Sequence, residues 1–129
     1  MKVPIEVFDI LHRFAKKNRI SQVEWSRAAR IPQPRISELV RISKAKNTGN
    51  NEAVKRSCTY DKVMRLYQGL RALAGRNVVS KYLLDKIEAE EDQNKKNILL
   101  VILLSDYPVE QQKLAGDHLY LLAKNLVRD

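Results

Sequence analysis

The chain has 129 residues, with 24 Lys and Arg against 15 Asp and Glu, and a formal net charge of +9. That length suits one domain with a modest core, or one small domain with an added association element. A single cysteine, Cys58, excludes an internal disulfide, and with only two histidines no metal-ligand set is expected, nor any cofactor.

The opening, MKVPIEVFDI, carries one Lys and no uninterrupted apolar run, so it does not read as a signal peptide. Ile5, Phe8, Leu11 and Phe14 or Ala15 share one face of a helix expected from about Pro4 to Lys17, with Pro4 suited to a first-turn position. Lys16 and Lys17 suit the negative end of its dipole, and serve equally as a solvated terminus or as phosphate contacts.

Residues Ile20 to Arg41, ISQVEWSRAARIPQPRISELVR, read as two short helices joined by a tight turn. Ser21 is a good N-cap, and Ile36, Leu39 and Val40 recur at helical spacing after the break at Arg30. Two helices crossing steeply need a small residue where they touch, which Ser26 supplies. The apolar walls come from Trp25, Ala29, Ile31, Ile36 and Leu39. Because a proline disfavours the α region for the residue before it, Gln33 is the expected N-cap and Pro34 the first helical residue.

Ser21-Gln22, Trp25-Ser26, Ala29, Ile31, Ile36-Ser37 and Leu39, in that order, resemble the helix-turn-helix of Cro and lambda-repressor type bacterial and phage regulators. The resemblance covers roughly residues 4 to 75. It implies an all-α fold: a DNA-binding domain of about five helices over residues 1–76, followed by a C-terminal helical hairpin over 77–129. The family usually places Gly at the turn, where this chain has Arg30, so a mildly strained left-handed residue is expected there. The resemblance puts the second helix in the DNA major groove and Gln22 at a phosphate-contacting helix start.

On the second helix, Gln33, Pro34, Arg35 and Glu38 are the expected base-reading residues. Gln pairs with adenine, Arg with guanine, and Glu accepts from cytosine, although Glu38 equally suits an intrahelical salt bridge to Arg35 or Arg41. Ser37 and Arg41 are assigned to phosphate. From Ser43 to Ser57 the text, SKAKNTGNNEAVKRS, loses its apolar period and reads as a loop within a basic segment spanning 43–58. Its Lys44, Lys46, Lys55 and Arg56 either drape over a phosphate strand or belong to a solvated loop.

Thr59 caps a further helix, with Val63, Leu66, Tyr67, Leu70, Leu73 and Ala74 at helical spacing, closing near Gly75. Tyr60 and Lys62 beside its positive end are further phosphate candidates, and Cys58 reads as a buried or bystander thiol. Through Tyr82 the chain holds 18 Lys and Arg against 6 Asp and Glu, a balance of +12. From Leu83 onward the balance is −3, with 6 against 9. Basic charge gathered on one part of a chain is what phosphate neutralisation needs.

Val79, Leu83 and Ile87 mark a helix over about 78–89, and the acids from Glu88 to Asp92 mark a solvated face or a helix junction. The longest apolar run, Ile98 to Leu104, is seven residues against the roughly 20 that span a bilayer, so a cytoplasmic protein without membrane contact is expected. A final helix is expected over 108–127. So apolar a hairpin must be buried on most of its circumference, either on the first domain, or against another protein, or against a second copy. The homodimer is favoured here, through Ile98, Val101, Ile102, Leu119, Leu122 and Leu126, since a two-fold protein reads two half-sites.

With no catalytic constellation in view, the sequence points to a non-enzymatic reader of double-stranded DNA, a repressor of a palindromic operator. The alternative is an antitoxin or adaptor whose hairpin binds a protein partner.

Overall fold

The computed structural model describes residues 2–47 and 58–105. Among these residues the chain is all-α, with six helices: α1 (Ile5–Lys17), α2 (Gln22–Ala29), α3 (Gln33–Asn47), α4 (Tyr60–Ala74), α5 (Arg76–Ala89) and α6 (Gln93–Leu104). Two dipeptides, β1 (Lys2–Val3) and β2 (Cys58–Thr59), pair antiparallel with Val3 opposite Cys58. The chain divides into two compact units, Met1–Gly75 and Arg76–Asp129.

In the first unit the apolar stripe of α1 buries Ile5, Phe8, Leu11, Phe14 and Ala15. It meets Trp25 of α2, Ile36 and Leu39 of α3, and Leu66, Tyr67 and Leu70 of α4 in one core. Trp25 belongs wholly to that core: it is 1% exposed, its indole Nε1 donates to the Leu66 carbonyl at 2.9 Å, and its ring lies parallel to Phe8. A buried indole N–H without a partner would be costly, and Leu66 supplies the acceptor. α2 and α4 approach closely where Gly69 faces the Ala29 backbone.

Two helix ends follow their local chemistry. Thr59 accepts from the Lys62 backbone N–H at 3.3 Å to start α4, and Gly75, at φ 97°, ends it.

The extent of α3 departs from expectation at both ends. The Pro32 carbonyl accepts from the Arg35 and Ile36 N–H groups, so Gln33 is already helical rather than the cap. Pro34 then occupies the first turn, where its missing N–H costs nothing. At the other end Ser43 to Asn47 are helical, where a loop was expected. No Gly or Pro interrupts that stretch, and Ser43 is buried with its hydroxyl on Asp9 Oδ1, 3.0 Å away.

In the second unit α5 and α6 pack on each other and bury Val79, Leu83, Ile87, Leu99, Ile102 and Leu103. Asp92 resolves the acidic cluster into a cap, its Oδ1 accepting from the Asn94 and Lys95 N–H groups at 2.9 and 3.3 Å. The helix expected over 108–127 lies outside the described residues, as do Leu119, Leu122 and Leu126. Of the other residues assigned to a dimer face, Ile98 and Ile102 are buried within the chain. Val101 is 39% exposed, so it alone of these three remains open to a second copy. No helix among the described residues is long and apolar enough to cross a membrane.

Candidate nucleic-acid interface

The site is built on α2, the turn after it, and α3. Ser21 opens α2 with a capping box, accepting from the Glu24 N–H at 3.1 Å while its own N–H reaches Glu24 Oε1 at 3.2 Å. Arg30 ends the helix in the left-handed region, at φ 57° and ψ 43°, which reverses the chain within one residue. Ser26 spans the turn from both sides: its carbonyl accepts from the Ile31 N–H at 3.2 Å, and its hydroxyl donates to the Ile31 carbonyl. Ala29 and Ile31 bury on either side, so the separation of α2 from α3 is set by backbone hydrogen bonds and core packing together.

One polar cluster joins the two helices at their N-terminal ends. Ser37 Oγ donates to Gln22 Oε1 at 2.6 Å, and Gln33 Nε2 reaches Ser37 Oγ at 3.0 Å and Gln22 Oε1 at 3.4 Å. Three residues assigned separately to base and phosphate contacts are therefore one unit. Gln33, Pro34, Ser37, Glu38 and Arg41 line a single hollow on α3, opposite the buried Ile36, Leu39 and Val40. Arg41 is exposed and stands between Gln33 and Glu38 on that face, which places a guanidinium among the candidate base readers rather than at their edge.

Arg35 lies at the edge of the outward side and not at its middle. At about 100° per residue it falls on the flank of α3 beside the buried Leu39 and Ile42. Its side chain is 38% exposed, its Nε is enclosed without a hydrogen-bond partner, and its Nη1 meets Glu38 Oε2 at 3.1 Å. Glu38 forms the intrahelical salt bridge to Arg35. Counting the angular position of Arg35 from Ile36 and Leu39 would have found this from sequence.

The candidate phosphate contacts come from three helices. Gln22 is half-buried at the start of α2, Lys44 is exposed on α3, and Tyr60 and Lys62 stand half-buried in the first turn of α4. Lys55 and Arg56, with the Lys46 side chain, lie outside the described residues. Burial pushes the Cys58 thiol up from its ordinary value, while the charges of Lys62 and Arg35 pull it partly back. Burial also raises the Tyr60 phenol, which stays protonated and able to donate at neutral pH.

Lys16, which the sequence leaves equally open as a solvated helix terminus or a phosphate contact, ends α1. The Ser43–Asp9 bond brings α1 and the second half of α3 together, and the charges of Lys16 and Lys44 on these two helices both lower the His12 pKa. The nearby acid, Asp9, is occupied by Arg13 at 2.8 Å and by Ser43.

Among the described residues no group of three or more His, Cys, Asp and Glu side chains is arranged to hold a metal ion. The arrangement offers amide, hydroxyl and guanidinium groups on one helix face, which suits recognition of an anionic polymer. No family model, curated protein or solved structure matches this chain.

Proposed function

We propose that this chain is a sequence-specific DNA-binding regulator of the helix-turn-helix kind, with α3 as the helix that enters the major groove. The observation that carries this reading is the Gln22–Gln33–Ser37 cluster, which ties the start of α2 to the outward face of α3. A helix start beside the backbone and a helix face beside the bases must keep a fixed spacing to read a duplex in register. The +12 balance of residues 1–82 supplies the sequence-independent attraction.

Gln33, Pro34, Glu38 and Arg41 face the bases in this reading, while Gln22, Ser37, Lys44, Tyr60 and Lys62 meet the backbone. Occupancy alone blocks a promoter, so repression needs nothing more than this surface and a second copy to read the other half-site. The second unit is the element proposed to hold the two copies together.

Selection of bound sequences from a random duplex pool, at one fixed salt concentration, tests the reading. A palindromic site should emerge for the native protein, and Gln33→Ala and Arg41→Ala should each relax one base position symmetrically in both halves. Salt-dependent binding with no enrichment would reduce the basic unit to an electrostatic footprint. The second unit would then be examined for a protein partner, as in an antitoxin or adaptor.

A further inference from the structure

Resting on the DNA reading above, we infer that Arg35 and Lys62 grip the phosphate strand on the far side of the groove from Gln22, and that Arg35 does not read bases.

The argument begins with the angular order of side chains around α3. Taking Pro34 and Arg41 as the middle of the outward face, steps of about 100° put Gln33, Ser37 and Lys44 on one flank and Glu38 and Arg35 on the other. Gln22 is bonded to the first flank through Gln33 and Ser37. A helix seated in a groove about 12 Å wide has a sugar-phosphate strand along each side. If Gln22 lies along one strand, the Arg35 flank faces the other.

That flank is built for a phosphate. The Arg35 guanidinium is held at Nη1 by Glu38 and closed off at Nε, which leaves the rest of its fork open in a 38%-exposed side chain. Lys62, half-buried in the first turn of α4 directly after β2, adds a second charge, and the Cys58 thiol of β2 feels the charge of both cations. The one acid in the first turn of α4, Asp61, is engaged by Arg65 at 3.3 Å. Arg35 and Lys62 together outweigh Glu38, whose carboxylate fixes the guanidinium on the flank instead of letting it swing to the bases.

The test measures binding of the full chain to its selected duplex and to a random duplex across a salt series, for the native protein, Arg35→Ala, Arg35→Lys and Lys62→Ala. Arg35→Ala and Lys62→Ala should each weaken both duplexes to a similar degree and lower the salt slope by about one. The selected sequence should stay the same. Arg35→Lys should keep most of the slope, because a point charge serves a phosphate where a bidentate base contact would be lost. That variant also separates a lost contact from a lost fold.

A base position that relaxes in Arg35→Ala while the slope holds would overturn the inference and leave the DNA reading standing. So would an Arg35→Lys variant as defective as Arg35→Ala. A native protein that binds no duplex at any salt overturns both.

Discussion

Ser37 on α3 donates its hydroxyl hydrogen to the Gln22 side-chain oxygen on α2, 2.6 Å away, across 15 residues of sequence. The bond locks the amide of Gln22 in one orientation, so that its donor end is free for the backbone of a duplex while its acceptor end is used internally. Ser37→Ala and Gln22→Ala are expected to weaken DNA binding non-additively. A double-mutant cycle should give a coupling of about 0.5–1.5 kcal/mol, the range of a net hydrogen bond. Additive losses would mean that the two side chains act separately on the DNA.

Arg30 sits where a Cβ is unwelcome. A left-handed residue costs an L side chain roughly 1–2 kcal/mol, and the exposed Arg30 side chain recovers none of this by burial. Glycine adopts the conformation freely but adds entropy to the unfolded chain, so Arg30→Gly should stabilise the protein by up to about 1 kcal/mol. The check is a rise in the urea midpoint at unchanged slope. A fall in the midpoint would reveal a contact that the arginine makes and the glycine forfeits.

Gly69 faces the opposite constraint. A Cβ added there would stand 2.9 Å from the Ala29 backbone nitrogen and 3.1 Å from its Cα, against a helix that carries the turn and Gln22. Gly69→Ala gains about 1 kcal/mol of helix propensity and pays roughly 1–3 kcal/mol for overpacking, so the melting temperature should drop. Because the nearest atom is backbone, Ala29→Gly should rescue it only in part. Full rescue would place the clash at the Ala29 methyl instead.

How much of this was legible in the sequence depends on how local each feature is. The Ser21 and Thr59 caps, the stop at Gly75 and the left-handed Arg30 are all decided within a few residues, while the core place of Trp25 is completed by Leu66, 41 residues away. Ser43, in the helical stretch where a loop is expected, bonds to Asp9, 34 residues away, and the Val3–Cys58 pairing is likewise non-local. At the site, Gln22, Gln33 and Ser37 were legible as individuals and not as a cluster. Arg35 was assigned to the bases on its chemistry, which suits guanine, without weighing its angular position beside buried Leu39.

His12 gives the first unit a pH dependence of definite sign. Its ring lies nearly parallel to those of Phe8, with centroids 5.8 Å apart, and Trp25, at 6.4 Å. Burial first, then the charge of Lys16 and more weakly Lys44, hold its pKa below the ordinary 6.5, with Asp9 opposing. Between the lowered folded value and 6.5 the unfolded chain binds more protons than the folded one, so stability rises with pH across that window. It is lost as pH falls from about 6.5 toward the folded value, and the penalty levels off below it. The melting temperature should therefore decline through this window, and His12→Gln should remove that part of the decline. A ring-proton titration by NMR should place His12 below 6.5. Adding the selected duplex should move it upward, because phosphate beside Lys44 and Lys16 offsets the charges that depress it. A His12 midpoint that ignores the duplex would place the bound DNA away from Lys16 and Lys44, and would confine the interface to the first half of α3.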